Sequence, residues 1–114
     1  MKILMFEPSK HPRTIEINGT LKSMQETVGG YIQAIYPFDD PIALVCDEEG
    51  LFKDTKWNRR ISPDCAIKGT FFLCGLAEGD FTDISESLTE KYTQLFWEPE
   101  EFEFTPPPIR VIRF

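Results

Sequence analysis

Apolar and polar positions along this chain fall into short blocks whose period switches between two and three or four. Lys2 to Glu7 (KILMFE) has strand composition and is stopped by Pro8, while Arg13 to Ile17 (RTIEI) alternates as a half-buried strand does. The pair predicts an antiparallel hairpin turned around His11 and Pro12. After Asn18-Gly19, Thr20 stands as the N-cap of a short helix that carries Leu21, Met24 and Val28 on one face. Gly29-Gly30 closes that helix, because glycine takes the left-handed C-cap conformation without steric cost.

Tyr31 to Tyr36 (YIQAIY) and Ile42 to Cys46 (IALVC) are expected strands, separated by the turn composition Pro37-Phe38-Asp39-Asp40-Pro41. Ile42 to Cys46 and Phe71 to Leu76 (FFLCGL) are apolar on both faces, so they must be covered on both sides or sit at a sheet centre. They are the candidate central strands. Between them, Asp47 to Lys68 is polar and turn-rich, and a long surface excursion is expected there.

Ser87-Leu88-Thr89-Glu90 has the form of a capping box, with Asp83-x-x-Glu86 a competing helix start. Leu88, Tyr92, Leu95 and Phe96 mark one face, and Pro99 stops the helix. Glu98 to Phe104 then alternates acid and aromatic. Pro106 to Pro108 forms a stiff extended spacer, and Ile109 to Phe114 (IRVIRF) has strand composition. The expectation is a single α+β domain over residues 1–104, two layers deep, followed by an extension at residues 105–114. Its sheet is mixed or mostly antiparallel, with about five strands and two helices on one face.

Composition supports an ordered domain. The chain has 114 residues, 41% of them hydrophobic and 13% aromatic, enough to bury a core without metal or disulfide staples. Cys46, Cys65 and Cys74 form no Cys-x-x-Cys pair and lie far in sequence from the lone His11, so no metal site, disulfide framework or cofactor is expected. The apolar run at the N-terminus is too short for a signal peptide or a membrane span, and a cytoplasmic location is the expectation.

Charge is concentrated. Glu78 to Glu103 holds nine acids against one base, Lys91, a balance of −8 within a chain of net −7. Such a segment repels phosphate backbones and attracts basic surfaces, which disfavours direct nucleic-acid binding and points to a basic protein partner.

Three ordered stretches carry a family resemblance: Val28-Gly29-Gly30-Tyr31-Ile32; Ala43 to Gly50 (ALVCDEEG) followed by Asn58-Arg59; and Ile67 to Phe72 (IKGTFF). With Phe81-Thr82-Asp83 and Phe96-Trp97-Glu98-Pro99, they resemble the family called domain of unknown function 3846, over roughly Met1 to Phe104. The resemblance implies a setting in phages, plasmids and other mobile elements of bacteria. It implies no activity.

Two sets of residues are candidate sites. Trp97 and Phe102 among Glu98, Glu100, Glu101 and Glu103 combine anchors with steering charge for a basic partner surface. This predicts a non-enzymatic accessory protein that binds and blocks a host protein, for example a component of an antiviral nuclease system. The alternative is capture of a nucleotide or nucleotide-derived signal, with Asn58, Arg59, Arg60 and Thr70 as donors and Trp57 or Tyr31 as a stacking surface. Against it stands a structural role for the arginines, paired with Asp47, Glu48 or Glu49 to pin the long loop. Those three acids lack calcium-loop spacing and are expected to face outward in a turn. A third reading is a module that forms a homodimer by adding the Ile109–Phe114 strand to a neighbour's sheet edge. No catalytic constellation is present, since the single histidine has no nucleophile placed beside it by sequence.

Overall fold

A computed structural model describes residues 1–104, and the proposed spacer and strand at 105–114 lie outside them. The chain builds β1 (Lys2–Phe6), β2 (Arg13–Glu16), α1 (Leu21–Val28), β3 (Ile32–Ile35) and β4 (Ile42–Asp47). A single 3-10 turn at Gly50–Phe52 follows, then β5 (Trp57–Ser62), β6 (Cys65–Lys68), β7 (Phe71–Ala77), β8 (Asp80–Thr82) and α2 (Glu86–Leu95). The fold is α+β, with two helices, an antiparallel sheet of six strands and a separate two-stranded sheet among the described residues.

The large sheet runs β2-β1-β7-β4-β3, with β8 also paired to β7. Gly75 of β7 pairs with Ile42 of β4 and with Thr82 of β8, so β8 lies on the side of β7 that β1 occupies further along. Gly75 is required there, because a Cβ would run into the Asp83 carbonyl oxygen. β4 and β7 are the central strands expected of their apolar composition, and β4 is buried over its whole length.

Alternation on those strands splits the core in two. Ile3, Ala43, Val45, Phe72 and Cys74 face one way and take Met24 and Val28 of α1. Leu4, Phe6, Ile42, Leu44, Phe71 and Leu73 face the other way, under Tyr92 of α2 and Ile67 of β6. The helices therefore lie on opposite faces, and the expected placement of both on one face in a two-layer domain is corrected. Strands that are apolar on both sides need cover on both sides.

The long excursion is also corrected. Its second half is the β5–β6 hairpin, which packs Ile61, Cys65 and Ile67 onto the sheet instead of running over the surface. Helix ends are mixed. Thr20 caps α1 by accepting from Ser23 N–H at 3.1 Å, and Gly29 ends it at φ 84°, as expected. Leu21 stays exposed. In α2 the N-cap is Ser85, neither Ser87 nor Asp83. Asp83 is already used, since its carboxylate accepts from Lys2 N–H, and Ile84 N–H donates to the Lys2 carbonyl. Leu95, expected on the buried face of α2, is exposed.

Candidate functional site

Asn58 and Arg59 are consecutive in β5, yet both are buried. The β5–β6 register shifts between Trp57 and Arg59 and again between Arg60 and Ser62, and such irregularities break the alternation that would send one of two neighbours outward. Asn58 Nδ2 donates to the carbonyls of Phe6 (2.9 Å) and Gly69 (2.8 Å), and its Oδ1 accepts from Arg59 Nη1 (2.9 Å). Arg59 also donates to the carbonyls of Phe96 (3.0 Å), Lys10 (2.6 Å) and Asn58 (3.2 Å), and lies over the Phe6 ring at 5.6 Å. Burial lowers the pKa of the guanidinium, while the Glu100 and Glu98 carboxylates act in the opposite sense.

This node joins β5, the β1–β2 loop and the end of α2. The expected pairing of the arginines with Asp47, Glu48 or Glu49 does not occur. Asp47 is itself buried, where it accepts from Lys53 Nζ and from Glu49 N–H, while Glu48 and Glu49 face outward. Of Asn58, Arg59 and Arg60, the last alone is exposed.

Beyond α2 the chain returns across the hairpin. Trp97 stacks on His11 with centroids 4.1 Å apart, and the His11 Nδ1 lies 2.7 Å from the Trp97 carbonyl oxygen. The Glu100 carboxylate accepts from Arg60 N–H at 2.6 Å. Phe102 and Phe104 then reach Trp57, at centroid distances of 6.0 and 5.3 Å, and Arg60 lies over the Phe102 ring at 5.1 Å. Lys68 sits 5.8 Å above Trp57.

Residues 98–104 therefore form a strap with its two aromatics turned toward the hairpin and Glu98, Glu100, Glu101 and Glu103 exposed. Between strap and hairpin remains an open groove of about 620 Å³, lined by Lys56, Trp57 and Lys68 on the hairpin side and by Glu100, Glu101, Phe102, Glu103 and Phe104 of the strap.

The proposed partner-binding residues thus divide. The four glutamates and the 44% exposed Trp97 present surface, whereas Phe102 is half-buried against its own chain and is not a free anchor. The residues of the nucleotide reading are not brought together. Tyr31 borders a small cavity with Gln25, Gly30, Glu49 and Lys53, Thr70 borders another, and Trp57 lines the cavity under the strap. Asn58 and Arg59 are committed to the buried node. The sequence gives no sign that Lys68 lies over Trp57 or that His11 meets Trp97, because only the hairpin register and the return of the chain after α2 bring them together.

Burial pushes the Cys46 and Cys74 thiols up to about 11 and raises that of Cys65 as well, so none is an activated nucleophile. Among the described residues no three His, Cys, Asp or Glu side chains gather into a metal-holding group, and no helix is long and apolar enough to cross a membrane.

No curated protein and no solved structure matches the chain. The family described as Domain of unknown function (DUF3846) matches residues 1–97, ending at the tryptophan that stacks on His11 and leaving out the strap, and the chain belongs to that family.

Proposed function

We propose that this is a non-enzymatic interaction protein whose strap offers its outward glutamates to a basic surface on a partner protein. The observation that carries the reading is the division of the strap, with Phe102 and Phe104 half-buried against Trp57 and Glu98, Glu101 and Glu103 exposed. Charges on a segment already laid against a scaffold lose less freedom on binding than charges on a free tail, and they steer an oppositely charged surface into contact. In the mobile-element setting that the resemblance implies, the partner is a host protein, which the bound strap blocks in the bacterial cytoplasm. A surface evolved for nucleic acid has the required charge.

The test is a Glu98→Lys, Glu101→Lys, Glu103→Lys variant, which spares Glu100 because its carboxylate holds Arg60 N–H. Immobilised wild-type protein is expected to retain a specific host protein from bacterial lysate at low salt and release it as salt rises. The triple variant is expected to lose it. Equal retention by both proteins overturns the reading.

A further inference from the structure

We propose that the hairpin face made by Trp57, Arg60 and Lys68 is itself a docking site for an extended acidic peptide with aromatic residues at alternate positions, and that residues 98–104 fill it in cis until a partner segment of that chemistry displaces them. The strap shows what the face accepts: two aromatic rings against Trp57, a guanidinium over one of them, and a carboxylate on the Arg60 N–H. Lys56 and Lys68 line the same groove as Glu100, Glu101 and Glu103 of the strap, so the hairpin side supplies positive charge where the strap supplies negative. The fit is incomplete, because about 620 Å³ remains open between strap and hairpin.

The strap is also separable from the fold. Among the described residues neither core cluster contains one beyond Phe96, so departure of the strap exposes Trp57 without opening the sheet. The face lies inside the family's matched residues and the strap outside them. A ligand supplied by the same chain competes at millimolar effective concentration, which makes it a cover that only a partner with more contacts, or a local excess, displaces. This site lies on the hairpin side of the strap and does not require that the strap's glutamates meet a partner protein.

The probe is a fluorescein-labelled peptide of Glu98–Phe104 (EPEEFEF), followed by anisotropy. Full-length protein with Phe102→Ala and Phe104→Ala, its strap unlatched, is expected to bind the peptide at least about tenfold more tightly than wild type. Glu100→Ala gives a second, milder unlatching. Adding Arg60→Ala or Trp57→Ala to the unlatched protein is expected to remove binding, with circular dichroism confirming that each variant is folded. Folded unlatched proteins that bind no better than wild type overturn the proposal. So does a wild-type dimer that becomes monomeric on unlatching, which assigns the face to strap exchange between two copies.

Discussion

Arg59 Nε donates to the Phe96 carbonyl at 3.0 Å, so a side chain of β5 closes the C-terminal turn of α2. The cation also meets the negative end of the helix dipole there, which favours charge at that position. Methionine at 59 would fill similar volume but leave the Phe96 and Lys10 carbonyls without their donors, at about 1–3 kcal/mol each. Arg59→Met is therefore expected to lower stability by about 3 kcal/mol, seen as a reduced urea midpoint. An unchanged midpoint would show that water replaces the guanidinium at no cost.

Asp40 accepts from Lys91 Nζ at 2.7 Å and from Tyr92 Oη at 2.6 Å, and these bonds, that to Lys91 foremost, hold its carboxyl below the ordinary value. A depressed folded pKa contributes stability above the unfolded value near about 4, and that stability is lost as pH falls through the folded value. Tyr92 moves the opposite way, raised by burial first and by Asp40 second. Its contribution is complete below about pH 10 and is lost as pH rises through the folded value. Urea midpoints measured across pH should thus fall at both extremes, and Asp40→Asn should flatten the acid arm and weaken the alkaline one. Identical profiles for the two proteins would remove Asp40 from the account.

The strap contains three glutamates, Glu100, Glu101 and Glu103, after which a glutamate-specific protease can cut only when the segment lifts off the hairpin. Phe102→Ala with Phe104→Ala is expected to speed cleavage after Glu100, Glu101 and Glu103 severalfold while fragments of the core remain protected. Mass spectrometry of a digestion time course reads both. Equal rates would mean that the rings contribute nothing to closure.

Cys46 and Cys74 are buried and Cys65 is partly exposed. A thiol reagent at pH 8 is expected to label Cys65 slowly in the native protein and the other two only after denaturant is added, because burial disfavours the thiolate as well as blocking access. Rapid native labelling of all three would contradict the packing described.

Much of the fold was legible where the sequence signal was local. Thr20 and Gly29 announce the ends of α1, and the apolar runs at Ile42 and Phe71 announce the central strands. The helix placement was also implicit, since strands apolar on both faces cannot leave one face bare. What was hidden depends on long-range partners. Ser87 has the better capping motif, yet Lys2 engages Asp83 and fixes the chain so that Ser85 caps instead. Arg59 looks like a surface residue beside Arg60 until the irregular register of the hairpin turns it inward, and the acceptors that satisfy it come from Lys10 and Phe96. Of the candidate site, the acidic and aromatic content was plain and the direction of each side chain was not.

The position of β1 between β2 and β7 has a consequence for how the molecule is made. β1 pairs with its neighbour hairpin strand at once, but its other edge waits for Phe71–Leu73, and its first residue waits for Asp83, eighty-one positions away. During synthesis the chain must hold Ile3, Leu4 and Phe6 half-paired until most of its length has emerged, so folding is expected to be slow for its size and concentrated in one late step. Chaperone dependence and losses to aggregation would then respond more to changes in β7 than to changes in β1 itself.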